Sequence, residues 1–519
     1  MSDDFSYDRL LYPSKFFVQT SPDRLATQAT LFGITPAEVE TCSMLELGCG
    51  DGFNLISQAF LLPNARFVGI DLGREHITEA KAEAEVLGLK NVEFAQMDVM
   101  EMSESDFGKF DFIIAHGLFS WVPEFVREKV LALFKELLNE NGVGYISYSA
   151  GPGAHAREAA RHAMRFHTSE IDDPMEKSSE ALSFLSFLSE NAPELTIYKA
   201  ALMSEIQRHQ AHSTSDIFHD DLSDINRAFY FHEFAKLLEE AGLQYLAEAE
   251  LHAMGTHGLS KDAAEFAEAT ESIIDREQYL DLFRNREFRQ TLFCHEALDL
   301  EHEPAPEILS DLLIASPLSL KDQAIRVGST RTETFVGSKG ETIEIDVPLA
   351  KAALVHLGRS WGKAVPFNEL VNKAEAMITA EGKKLEKKEE QLDILRKVLM
   401  RLAFSTNLVQ LHVHQPDAPT HVPEKPIISS LNRRQMARAN NILTGLNIDI
   451  AVADPVSRKA LDLMDGTRSV KEIAEELATF VANNRIEEID KKKIFLRDLP
   501  IWLDDNLKQL ARLGAFTRV

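Results

Sequence analysis

Cysteine is scarce in this chain: 519 residues hold three, Cys42, Cys49 and Cys294, with no C-x-x-C pair. That excludes a disulfide framework and a thiolate metal centre, and it suits a reducing compartment. Long apolar runs are also missing. No stretch approaches the roughly twenty apolar residues of a membrane span, and the acidic start Met1-Ser2-Asp3-Asp4 lacks the apolar segment of a secretion signal. A cytoplasmic protein with no membrane insertion is expected. Positive charge is short as well. A net charge of −27 disfavours a nucleic-acid partner, because binding phosphate needs basic surface, and favours a basic substrate. What remains, with 45% hydrophobic residues, is enough for packed cores in about three or four domains.

The stretch that organises the chain is Met44-Leu45-Glu46-Leu47-Gly48-Cys49-Gly50-Asp51-Gly52, followed by the helical-looking Phe53-Asn54-Leu55-Ile56. It reads as strand, tight turn and helix. Glycines tolerate positive φ and leave room for a ligand, which then meets a helix N-terminus. Three further apolar runs end in polar residues: Arg66–Ile70 in Asp71, Val92–Met97 in Asp98, and Phe110–Ala115 in His116. Asp71 stands about twenty residues after the loop, where a doubly wound nucleotide fold keeps a carboxylate for ribose hydroxyls. Helical stretches between these runs put all four polar ends on one rim of a parallel sheet.

Glu46 before Gly48-x-Gly50-x-Gly52 departs from a dinucleotide fingerprint. It suits S-adenosylmethionine, which has no pyrophosphate to cradle and whose amino and sulfonium end an acidic strand end can address by charge. Asp71 then takes the ribose hydroxyls and Asp98 the adenine amine. The expected cofactor contacts are Glu46, Gly48, Cys49, Gly50, Asp71, Leu72, Asp98, Val99 and His116.

With Phe67-Val68-Gly69-Ile70-Asp71-Leu72 and His116-Gly117-Leu118-Phe119-Ser120-Trp121-Val122-Pro123, the chain resembles the class I methyltransferases that carry a methyltransferase regulatory domain. Their best-known members are bacterial outer-membrane-protein lysine methyltransferases. The glycine motif is common to all class I enzymes, whereas the His-Gly-x-x-Ser-Trp-Val-Pro stretch is more particular. The resemblance also favours a lid role for the arm Phe5 to Thr20, with Tyr7, Tyr12, Phe16 and Phe17, over a plain amphipathic cap. Ser149-Ala150-Gly151-Pro152-Gly153-Ala154-His155 departs from the family, which usually has Asn-Thr-Tyr before the Pro-Gly and Trp after it. Two missing rings imply an altered acceptor pocket.

Further along, residues 156 to about 210 read as a helical insertion. His219 to Phe234 resembles the opening of the regulatory domain and Arg284 to His295 its close. His219, Asp220, Asp221 and His232 lack the tight spacing of a metal site, so no metal is expected. They read either as an acidic and aromatic surface near the mouth of the methyl-transfer site or as a solvated interdomain surface. Thr334–Val336 and Thr342–Ile345 alternate as a hairpin, and the proline-rich stretch His412 to Ile427 marks a boundary. A helix from Ser429 to about Leu443 and the segment Leu461 to Val470 before another helix have the shape of a winged helix. Near balance of charge there favours protein contact over DNA.

The expected fold is α/β: a Rossmann-like doubly wound sheet at 1–210, a helical regulatory domain at 211–300, and winged-helix-like domains at 301–415 and 416–519. The expected activity is methyl transfer from S-adenosylmethionine to exposed lysines of a protein. A small-molecule methyltransferase and a non-catalytic cofactor-binding regulator are the alternatives, and homodimerisation stays open. Lysine must lose a proton before in-line attack, so rim groups that lower its pKa or accept that proton are candidates for catalysis: Tyr148, His116 or His155. Ser120, Trp121 and His155 are expected to line the acceptor site, although Trp121 also reads as a buried packing residue.

Overall fold

The computed structural model describes residues 15–209, 216–321, 326–337, 340–415, 421–444, 449–452, 454–484 and 492–516. The chain forms two compact units, residues 1–59 with 63–303 and residues 60–62 with 304–519. The first unit is built on a seven-stranded sheet in the order β3-β2-β1-β4-β5-β7-β6. Its strands are β1 (Ser43–Leu47), β2 (Arg66–Asp71), β3 (Val92–Gln96), β4 (Phe110–Ala115), β5 (Leu138–Ser149), β6 (Leu243–Glu248) and β7 (Phe288–His295). β1 to β5 pair in parallel, whereas β7 runs antiparallel to both β5 and β6.

The central strands are apolar on both faces because helices cover both. In β1, Met44, Leu45 and Leu47 are buried, as are Phe112, Ile113, Ile114 and Ala115 in β4. A buried cluster joins Leu45, Ile113 and Ile146 to Phe134 and Leu137 of the helix Glu124–Leu137 and to Phe234 and Leu238 of the helix Phe231–Glu240. The helix Pro22–Leu31 begins where the Ser21 hydroxyl accepts the Arg24 amide and Pro22 takes the first turn. The helix Arg74–Val86 buries Ile77, Ala80 and Ala84, and Gly88 follows it at φ 70°. Gly144 of β5 lies where a Cβ would meet Phe293 at 2.4 Å and Phe134 at 2.8 Å, so only glycine lets these rings close over the strand.

The sheet differs from the sequence expectation in one respect. The segment expected to form a separate helical regulatory domain supplies two of its seven strands, β6 and β7. The boundary expected at 210 therefore falls inside one unit. Strand pairing over more than a hundred residues leaves no trace in local periodicity. β5 begins at Leu138, directly from the preceding helix, with a register shift opposite Phe110 and Phe112.

Between β5 and β6 stand the helices Gly153–His167, Pro174–Asn191 and Ile197–His209, then a five-residue π turn, Ile217–Asp221. In the second unit, Leu313–Ala315 pairs with both Val365–Pro366 and Gln410–His412, and the expected hairpin forms between Glu333–Val336 and Thr342–Ile345. Its last part has helices Ser430–Ala439, Pro455–Leu463, Val470–Asn483 and Lys492–Arg512 around a core that includes Ile442, Leu461, Leu477 and Leu503. The helix expected to reach Leu443 stops at Ala439, where Asn440 turns left-handed at φ 56°, and Asn441–Leu443 pairs as a strand with Asp449–Ala451. Among the described residues, no helix is long and apolar enough to cross a membrane.

Candidate active site

The site begins at the end of β1. The amides of Gly48 and Cys49 both donate to the Ile70 carbonyl, at 2.9 and 3.0 Å, tying the glycine loop to β2. Gly48, Gly50 and Gly52 take φ of 73°, 53° and 71°, a left-handed region that side chains avoid. At Gly52 a Cβ would also strike Phe94 at 2.5 Å. Asp71, at the end of β2, accepts the Gly50 amide on Oδ2 at 2.9 Å and the Gly73 amide on Oδ1 at 2.8 Å. The helix Phe53–Leu61 starts from this loop, its Phe53 amide donating to Asp51 Oδ1 at 3.1 Å.

A cavity of about 210 Å³ opens over the loop. Glu46, Gly48, Cys49, Gly50, Asp51, Asn54, Asp71 and His76 form one part of its wall. The rest comes from distant segments: Lys15 and Phe17 before the first helix, His116, Gly117 and Trp121 after β4, His219 and Asp220 of the π turn, and Phe288 of β7.

Three buried polar atoms in this wall have no partner among the described residues: Glu46 Oε2, His76 Nδ1 and the indole Nε1 of Trp121. Buried polar groups are ordinarily paired, so this is a wall built for a polar ligand. The other Glu46 oxygen accepts from Asn54 Nδ2 at 3.1 Å. Burial, with Asp51 and Asp71 nearby, pushes the Glu46 carboxyl up to about 8 despite the Asn54 bond, so the site is short of positive charge. His116 Nδ1 lies 2.8 Å from the Tyr145 hydroxyl, and its ring packs tilted by 31° against Phe17 at 3.8 Å between centroids. Burial, then the charge of Lys15, pushes this imidazole down to about 3 and keeps it neutral. Burial likewise pushes the Cys49 thiol well up, leaving it protonated.

Of the residues expected from the sequence, Glu46, Gly48, Cys49, Gly50, Asp71, His116 and Trp121 share this cavity. Tyr148 does not. It is fully buried away from the rim, stacked on Phe234 at 4.2 Å, with its hydroxyl 3.3 Å from that of Thr291, and burial drives its pKa upward. A phenol so placed reaches no substrate. Ser120 is buried too, and its hydroxyl accepts the Ser149 amide at 2.9 Å, so it fastens the loop to β5. His155 is exposed beside Tyr230 and is absent from the wall. Leu72, Asp98 and Val99 follow β2 and β3 without lining the cavity, and Asp98 Oδ1 accepts the Met100 amide at 2.9 Å.

Lys15, Asn54, His76 and Phe288 were not singled out as site residues by sequence. Only Asn54, one helical turn into the motif, carried a local signal. Of the arm, Phe17 reaches the wall, whereas residues 5–14, with Tyr7 and Tyr12, lie outside the described residues. His219 and Asp220 are in the wall, but Asp221 is not. Arg157 and Arg208 bind it at 2.9 and 2.8 Å, and both also bind Glu205. Glu205, His209 and Asp221 come within metal-binding distance of one another, yet these guanidinium groups already neutralise the carboxylates. His232 is exposed, with Nδ1 2.8 Å from Gln278 Oε1.

Three family descriptions match the chain: a methyltransferase domain over residues 38–209, a predicted methyltransferase regulatory domain over 213–295, and the PKMT C-terminal winged helix domain over 424–514. An uncharacterized protein of Rickettsia prowazekii, RP789, is 31% identical over 515 residues, covering 96% of this chain and 91% of its own. A second from that organism, RP028, is 33% identical over 242 residues, or 46% of this chain and 96% of its own. Among solved structures, PKMT2 from Rickettsia typhi in complex with AdoHcy superposes with a TM-score of 0.85 at 25% identity, covering 97% of this chain and 99% of that one.

Proposed function

Because the chain belongs to the class I S-adenosylmethionine-dependent methyltransferases with a methyltransferase regulatory domain and a PKMT winged-helix domain, we propose that it methylates lysine side chains of a protein, of the outer-membrane type. The observation that carries this reading is Glu46. A buried carboxylate with one unpartnered oxygen, beside left-handed glycines, suits the cationic methionine end of the cofactor and no pyrophosphate. Glu46, Gly48, Gly50 and Asp71 would hold the cofactor, with Leu72, Asp98 and Val99 following along the same sheet edge. When bound, S-adenosylmethionine supplies a methyl group on a sulfonium.

The chain's own part is to position the acceptor and exclude water. Phe17, Trp121 and Phe288 line the cavity, and this apolar part of its wall suits a lysine stem and hydrates its charge poorly. The net charge of −27 attracts a basic acceptor. His116 is a ring contact here and not the proton acceptor, since an imidazole protonated only near pH 3 is too weak a base. Exposed apolar residues on the three-helix insertion, among them Phe187, Leu195 and Ile197, support self-association as a homodimer, which light scattering tests as a doubled mass.

The test of function is incubation of the purified protein with methyl-labelled S-adenosylmethionine and an envelope-plus-cytosol extract. Label is expected on lysines of a discrete protein band. Label confined to small molecules would select a small-molecule enzyme, and cofactor binding without any transfer would select a regulator.

A further inference from the structure

An acceptor lysine reaches the cavity as an ammonium and must become an amine. The wall residues differ in what they have left to offer it. Asp71 uses both carboxylate oxygens on the amides of Gly50 and Gly73, Asp51 holds the Phe53 amide, and Glu46 stands over the glycine loop with Asn54. His116 is tied to Tyr145.

Asp220 is different. It comes from the π turn Ile217–Asp221, a segment outside the nucleotide-binding half of the sheet, and enters the same wall as Phe17, Trp121 and Phe288. Its backbone carbonyl accepts from Asn226 Nδ2 at 3.1 Å, but its carboxylate accepts no hydrogen bond among the described residues. A carboxylate without a donor among the described residues, in a cavity wall that also holds three aromatic side chains, matches the chemistry of an alkylammonium group, by charge and by cation–π attraction.

We propose that Asp220 receives the ammonium of the acceptor lysine and takes its proton before methyl transfer. This rests on the lysine reading above. In the step, one N–H bond breaks and the proton passes to an Asp220 oxygen. The freed lone pair forms the N–CH3 bond while the S–CH3 electrons stay on sulfur, giving S-adenosylhomocysteine and a methylammonium. Asp220 then releases the proton to solvent.

The charges facing Asp220 suit this task. Burial, then Asp221 and Asp216 on its own turn, raise its carboxyl to about 6, against the lowering pull of Lys15 from the arm and Arg208 from the helix Ile197–His209. Lys15 is paired with Asp216 at 2.9 Å, and His219 and His116 share the wall. Asp220 is thus ionised at neutral pH yet more basic than a surface carboxylate.

Asp220→Asn and Asp220→Glu in the full chain test this, with poly-L-lysine and labelled S-adenosylmethionine for transfer and calorimetry for S-adenosylhomocysteine binding. Asp220→Asn is expected to lower kcat/KM at pH 7.5 by about a hundredfold or more, with product affinity within about threefold of wild type. The deficit should shrink towards pH 10, where lysine deprotonates by itself. Asp220→Glu should restore transfer to within about tenfold of wild type. An Asp220→Asn rate equal to wild type, a deficit constant with pH, or loss of product binding in both variants would overturn the assignment. Failure of the wild-type protein to label any amine, in poly-L-lysine or in extract, would overturn the lysine reading itself and this step with it.

Discussion

Asp71 at the end of β2 holds the Gly50 amide of the glycine loop, Oδ2 to nitrogen, at 2.9 Å. The loop is therefore fixed across the sheet before any ligand arrives. Asp71→Asn replaces one acceptor oxygen by a donor and removes the charge that both amides feel. Hydrogen bonds to charged groups contribute about 1.5–3 kcal/mol, so S-adenosylhomocysteine affinity should fall about tenfold to a hundredfold by calorimetry.

Glu46 links cofactor affinity to pH. With its carboxyl raised to about 8, the free protein carries it neutral at pH 7, whereas a cationic ligand favours the ionised form. Binding then releases a proton, and affinity should drop as pH is lowered from 8 to 6, by up to about tenfold per unit. Glu46→Gln should weaken binding and flatten that dependence. Calorimetry in buffers of different ionisation enthalpy reads the released proton directly.

Gly52→Ala should cost stability through two effects. The new Cβ meets Phe94 at 2.5 Å and Ala80 at 2.9 Å, an overpacking worth about 1–3 kcal/mol, and φ of 71° adds about 1 kcal/mol. A lowered Tm of the first unit, with a smaller gain on adding S-adenosylhomocysteine, is the expected result.

Arg289 is fully buried, at 2.6 Å from Glu248, 3.0 Å from Glu277 and 2.8 Å from Asp281, with its guanidinium over the Phe231 ring at 3.9 Å. Arg289→Met leaves Glu277 without a cation and Asp281 and Glu248 with Arg286 alone, and should destabilise the first unit by about 3–5 kcal/mol in urea titration. Burial already holds the Glu277 and Asp281 carboxyls above their ordinary range and loses its main counterweight with Arg289, so the folded variant binds extra protons. Its deficit should accordingly narrow as pH falls towards 5.

The half of the site made by the glycine loop was legible because its chemistry is local. Glu46, the three glycines and Asp71 lie at strand ends, where a run of apolar residues stops. Tyr148 was misplaced by the same rule. β5 continues to Ser149, and it is Ser147 whose hydroxyl takes the Gly117 amide, at 2.8 Å, while Tyr148 turns into the core against Phe234. Choosing between them needs the neighbour β7, whose pairing with β5 no periodicity reveals. Phe288 and Lys15 were hidden for the same reason, since only the folded sheet gathers segments up to about 270 residues apart along the chain, whereas one of the two readings of Asp220 puts it near the mouth of the site.

The last two strands of the sheet carry a consequence for how such proteins can diversify. Because β6 and β7 come from the segment matched as regulatory, residues 211 onward complete the sheet and the wall of the cavity together. Cutting the chain at 210 would expose the edge of β5 and strip out Asp220 and Phe288 at once. Exchanging 213–295 between relatives, by contrast, would keep the glycine loop and replace the wall residues His219, Asp220 and Phe288. Such an exchange has two seams, one at each end of the segment, and both lie outside the glycine loop.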